Sequence, residues 1–106
     1  MVLGSVRQRV KKKMKISGNQ ITAATGLLGI TQAELAEAAG LSMETIFKFE
    51  AGKSYPYASS LEKILSELER RGIEFTNGTG TGVRLDHAKA ADYARSVAQK
   101  RKDMPR

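Results

Sequence analysis

In this chain of 106 residues, the side chains that could do chemistry are concentrated between Thr31 and Lys53, in the stretch TQAELAEAAGLSMETIFKFEAGK. Glu44 and Lys48 stand four apart, as do Met43 and Phe47, and on a helix each such pair shares a face. A carboxylate, an ammonium and two apolar groups side by side recognise a surface through charge, hydrogen bonds and contact. Covalent chemistry has little support, because no Ser or Thr has a base spaced to activate it. With a single histidine, His87, and no cysteine, neither a metal site nor a disulfide framework is expected. The run Gly78-Thr79-Gly80-Thr81-Gly82 invites a phosphate-loop reading. A dinucleotide fingerprint, however, opens straight into a helix within a βαβ unit, and this run joins two short alternating segments. The expectation is a binding protein, not an enzyme, with no cofactor.

The elements that must position those residues follow from periodicity and caps. Ile21, Ala24 and Leu28 recur at helical spacing after a cap at Ser17 or Asn19, and Gly29 ends that helix, with Gly26 as its weak point. Thr31 and Glu34 form a capping box for a second helix with Leu35, Ala36 and Ala39 inside and Gly40 as its stop. Ser42 caps a short third helix, with Ile46 and Phe49 inward and Ala51-Gly52 as its exit. After Pro56, a fourth helix carries Leu61, Ile64, Leu65 and Leu68 and ends at Gly72. Ile73-Glu74-Phe75 and Val83-Arg84-Leu85 then alternate, so the link from Thr76 to Gly82 predicts a hairpin. Asp86 can cap a fifth helix through about Gln99. A small residue at Ala36, a corner at Gly40 and an anchor at Ile46 suit two helices crossing steeply through a tight turn, which is helix-turn-helix geometry. A plain antiparallel helical hairpin fits the same spacing. In the first geometry Met43, Glu44, Phe47 and Lys48 lie on the outer face that would enter a DNA major groove.

Charge supports a polyanionic partner. The net +7 is uneven: residues 1–15 hold Arg7, Arg9, Lys11, Lys12, Lys13 and Lys15 with no acid, whereas residues 16–85 hold six bases against eight acids. Basic ends around a mildly acidic centre point to nucleic acid reached by the tails as much as by the folded body. A basic run can also be a merely solvated arm. No apolar stretch is long enough to span a membrane, and no secretory signal follows the basic start, so a cytoplasmic setting is expected.

Gln32, Leu35-Ala36, Gly40-Leu41-Ser42, Thr45-Ile46, Phe49-Glu50 and Gly52-Lys53 together resemble the lambda-repressor-like, Xre-type helix-turn-helix family of bacterial and phage transcriptional regulators. The resemblance continues through Leu61-Glu62-Lys63-Ile64, Leu68-Glu69 and Gly72-Ile73-Glu74-Phe75 to Gly82-Val83-Arg84-Leu85, in the branch where a strand pair follows the helical core. It covers about residues 19–85. It implies a mainly α fold, a four- to five-helix DNA-binding domain over residues 17–72 followed by a short β-hairpin over 73–85. A basic arm, 1–16, precedes this domain, and a basic helix or tail, 86–106, follows it. By the same resemblance Met43, Glu44, Phe47 and Lys48 contact bases. Lys48 would donate to guanine, Glu44 accept from cytosine, and Met43 or Phe47 touch a thymine methyl. Gln32, Thr45, Lys53 and Tyr55 are expected to contact phosphates, the arm, which lies outside the resemblance, is expected to join them on the ground of its charge, and Val83, Arg84 and Leu85 offer an edge for a homodimer.

Two departures from the family pattern bear on this reading. Met43 and Phe47 stand where members often carry Gln, Arg or Ser, and Thr25 is expected to face Glu50 where many carry an Arg that pairs with the Glu ending the third helix. Glu50 is therefore expected to be partly exposed or locally capped, because an unpaired buried carboxylate is costly. The implied function is a repressor on a palindromic operator of double-stranded DNA, nucleoid-associated in a bacterial or phage setting. The rival is a protein-interaction module, an antitoxin for a toxin or a co-activator adaptor for the transcription machinery. The arm and Lys48 favour DNA, while the acidic centre and the Met43/Phe47 face favour the rival.

Overall fold

Five helices and one hairpin succeed each other along the chain: α1 (Gly18–Leu28), α2 (Gln32–Ala39), α3 (Met43–Glu50), α4 (Ala58–Arg70), β1 (Ile73–Asn77), β2 (Thr81–Leu85) and α5 (His87–Asp103). The computed structural model describes residues 15–103, with side chains to residue 100. Three helices start where a hydroxyl can satisfy the free amides of a first turn. Ser17, not Asn19, caps α1: its Oγ accepts from Gln20 N at 3.2 Å, and Gln20 Oε1 accepts from Ser17 N at 2.9 Å. Thr31 and Glu34 form the same reciprocal box at α2, with distances of 3.0 and 2.8 Å. Ser42 Oγ accepts from Thr45 N at 3.1 Å to begin α3. Between α2 and α3 the chain turns at Gly40, whose φ of +74° lies in the left-handed region that a Cβ disfavours.

The apolar stripes of α1 to α4 meet in one core. Ile21, Leu35, Ile46, Ile64 and Leu68 have no exposed surface, and Ala24 and Ala36 let the helices approach closely. The hairpin closes this core. β1 pairs antiparallel with β2 in the register Ile73↔Leu85, Glu74↔Arg84, Phe75↔Val83, Thr76↔Gly82, Asn77↔Thr81, which places Ile73, Phe75, Val83 and Leu85 against the helices. The strands run further than the alternation of three residues each implied, so the turn shrinks to Gly78–Gly80. A physical reason lies in Gln20, which is 2% exposed. Its Nε2 donates to Gly82 O at 3.0 Å and sits 3.2 Å from Asn77 Oδ1 and 3.4 Å from Thr76 O, tying the distal half of the hairpin to α1.

The last helix is longer than its expected end at Gln99, because no Gly or Pro interrupts the sequence before Pro105. At its start Asp86 accepts from Lys89 N at 3.0 Å, and Asp86 N donates to Gly72 O at 2.8 Å. Small residues give α5 no strong apolar stripe, and it is held to α4 largely by charge and one ring. Buried Glu67 binds Arg70 and Arg71 at 2.8 and 2.6 Å, and both guanidiniums lie 4.9 Å from the centre of the Tyr93 ring. Among the described residues no helix is long and apolar enough to cross a membrane.

Candidate nucleic-acid interface

Ile46 and Phe49 bury the inner face of α3 at 0% and 2% exposure, and the 3.6-residue period then dictates what faces out. Met43 and Phe47 remain 54% and 47% exposed, and the side chains of Glu44 and Lys48 are 71% and 47% exposed. All four expected reading residues thus share one open flank. Neither apolar member packs into α4 strongly enough to be buried. Glu44 Oε2 and Lys48 Nζ meet at 3.0 Å. An ion pair this exposed is worth little, so either partner can be released to a base edge. Lys53 follows as the chain leaves α3, its amide donating to Lys48 O at 2.8 Å. Its ammonium lies 5.8 Å from the centre of the Phe47 ring, within reach of a cation–π attraction.

The expected phosphate contacts have partners within the chain. Gln32 is half-buried, and its Nε2 donates to Glu50 Oε1 at 3.0 Å. The Thr45 hydroxyl lies 2.9 Å from Ser42 Oγ. Tyr55 donates its hydroxyl to Ile16 O at 2.8 Å and packs edge-on against Phe49 with ring centres 5.1 Å apart. Partial burial pushes the Tyr55 phenol above its ordinary value, so it stays a neutral donor at physiological pH. Lys15 Nζ stands 4.9 Å from the centre of the same ring, placing the root of the basic arm beside the loop that follows α3. Arg7, Arg9, Lys11, Lys12 and Lys13 lie outside the described residues. On the hairpin, Val83 and Leu85 pack partly on the core. Arg84 bonds Glu74 at 3.0 Å and approaches Asp86 at 3.8 Å.

One expectation is corrected. Thr25 does not face Glu50: it is buried, and its hydroxyl donates to Thr22 O of its own helix at 3.0 Å. Thr22, one turn earlier on α1, meets the carboxylate instead, Oγ1 to Oε1 at 3.2 Å. Glu50 is half-buried, as the missing guanidinium implied, yet its Oε2 has neither solvent contact nor partner.

Expected residues Glu44, Thr45, Lys48 and Tyr55 line a groove of about 370 Å³ between the flank of α3 and the start of α4, whose other walls, Ser54, Pro56, Tyr57 and Ser60, the expected site omitted. Tyr57, at its rim, is 85% exposed. No side chain caps α4, leaving the free amides of its first turn without a side-chain acceptor. The signal was present in Tyr57-Ala58-Ser59-Ser60, where position 57 lacks the Ser, Thr, Asp or Asn that begins the other helices of the core. A model of the family described as helix-turn-helix matches residues 24–75, from the middle of α1 into β1. Comparison with curated proteins found no match.

Proposed function

Since the chain belongs to the lambda-repressor-like, Xre-type helix-turn-helix family of DNA-binding regulators, we propose that it is a repressor whose homodimer sets two copies of α3 into a palindromic operator. The observation that carries this reading is the open flank of α3, with Met43, Glu44, Phe47 and Lys48 exposed opposite an anchor of Ile46 and Phe49. An α-helix fits the major groove, and these four side chains match what base edges offer there: guanine acceptors for Lys48, the cytosine amine for Glu44, thymine methyls for Met43 and Phe47. Phosphates on either side would meet Gln32, Thr45, Lys53 and the uncapped start of α4, whose amides and dipole suit an anion. Tyr55 would contribute through its ring and its position, since its proton is held by Ile16.

A dimer reading is supported by the hairpin. Because Gly72 and Asp86 share a backbone hydrogen bond in register with the ladder, the alternation of an antiparallel pair turns the N–H and C=O groups of Thr81, Val83 and Leu85 away from β1. An edge of this kind can take up its symmetry mate. A bacterial or phage cytoplasm is the corresponding setting. A gel shift with DNA upstream of the chain's own gene tests the function. Retention of that fragment, weakened by Lys48→Ala, is the expected result. The exposed apolar pair Met43 and Phe47 favours a second reading, a protein-interaction module such as an antitoxin or adaptor. Failure to shift any such DNA would make that reading the better one. Light scattering tests the dimer, and a mass that stays monomeric at all concentrations would remove it.

A further inference from the structure

Glu50 poses a problem that its own energetics do not answer. The N-terminus of α1, the N-terminus of α2 and the C-terminus of α3 converge on it, so closely that a Cβ on Gly18 would lie 2.0 Å from Phe49 O. One carboxylate oxygen accepts from Gln32 Nε2 and lies 3.2 Å from Thr22 Oγ1, whose single proton is shared with Gly18 O at the same distance, and the other is sealed from solvent with no partner. No Lys or Arg pairs with it among the described residues. A carboxylate held this way is a poor stabiliser, since a neutral residue of similar shape would avoid the desolvation cost. What it does achieve is geometric. A primary amide nitrogen carries two N–H groups about 120° apart in one plane. Fixing one on Glu50 Oε1 restricts the amide and turns the other away from that oxygen. Gln32 is also the first residue of α2, beside free amides that already favour an anion.

We propose that Glu50 is a positioning residue for DNA binding: with Thr22 it locks the Gln32 side-chain amide so that its second N–H is presented, without further ordering, to a phosphate of the duplex. This rests on the DNA reading above. Thr22 steadies the same oxygen from α1, so the three residues form a relay across three helices. Pre-ordering matters because a Gln free in solution must surrender rotamer freedom when it binds.

The test is a double-mutant cycle on duplex affinity, using the full chain with a short mixed-sequence duplex and with a duplex enriched from a randomised library. Gln32→Ala should weaken binding to both by about fivefold, the equivalent of one hydrogen bond. Glu50→Ala should cost a similar factor, and the double variant should lose little more than either. Glu50→Gln keeps an acceptor at the same place and should stay within about twofold of the unaltered chain. Circular dichroism confirms that each variant is folded at the assay temperature. In the free protein, the Gln32 side-chain amide proton bonded to Glu50 should be protected from exchange relative to its outward-facing partner, an asymmetry lost in Glu50→Ala and kept in Glu50→Gln. Additive losses, a Glu50→Gln variant as impaired as Glu50→Ala, or unprotected Gln32 protons in the unaltered chain would each overturn the relay while leaving the DNA reading intact. Absence of duplex binding by the unaltered chain would overturn both.

Discussion

Two glycines of α1 separate packing from propensity at the scale of the residue. Gly18 is pressed against the backbone at the end of α3, and a Cβ there would meet Phe49 O at 2.0 Å and Phe49 C at 2.8 Å. Backbone cannot swing aside as a side chain can, so Gly18→Ala should push α1 off α3 and destabilise the fold by about 2 kcal/mol. Gly26, eight residues along the same helix, is exposed, and a Cβ there meets nothing within 4 Å. Gly26→Ala should therefore stabilise by about 0.5–1 kcal/mol through the unfolded chain's lost freedom. Urea denaturation of both variants checks the pair; equal signs would refute the packing described for Gly18. Lys48 makes the matching functional case. If it donates to guanine, Lys48→Ala should cost about 1–3 kcal/mol on the preferred duplex and relax preference at one base position, whereas losing a phosphate contact weakens all sequences alike.

At the scale of the element, α5 is the piece whose attachment depends most on charge. Hydrogen bonding from Lys89 N, with help from nearby cations, holds the Asp86 carboxyl below its ordinary value. A carboxylate lowered in the folded state contributes stability above its unfolded value, near pH 4, and loses it as pH falls through the folded one. The start of α5 should accordingly fray in acid before the core opens, seen as loss of protection at the Lys89 amide as pH falls below the ordinary carboxylate value of about 4. The same loss in step with global unfolding would mean that the cap contributes nothing of its own. The hairpin differs in kind. A two-stranded ribbon is marginal in water, and here the burial of Ile73 and the reach of Gln20 hold it in place.

At the scale of the whole molecule, charge is divided by position along the chain. Residues 16–85 carry more acids than bases, so bulk charge in that body does not attract phosphate, which supplies much of the affinity for any duplex. The six bases of residues 1–15 would then provide the missing attraction, starting from Lys15 beside Tyr55. Removing residues 1–15 should flatten the plot of log affinity against log salt by about five if all six bases neutralise phosphates at ~0.9 each. An unchanged slope would take the arm out of the interface.

Local rules made much of this fold readable from the chain: a hydroxyl before an apolar stripe starts a helix, a glycine ends it, and a change from period 3.6 to period 2 announces the strands. The exposed flank of α3 followed as well, because a helix anchored by Ile46 and Phe49 has no other way to turn Met43, Glu44, Phe47 and Lys48. What depended on residues far apart in sequence was not readable. Periodicity marks a face but does not say which neighbour a polar side chain meets across the core. Only the packing of α1 against α3 and the hairpin shows that Thr22 and Gln32 meet Glu50, that Gln20 clasps the strands, that Gly18 has no room for a Cβ, and that Tyr55 donates its hydroxyl to the Ile16 carbonyl. Each of these contacts joins positions brought together by the tertiary fold, where distance and burial, rather than residue type, decide the partner.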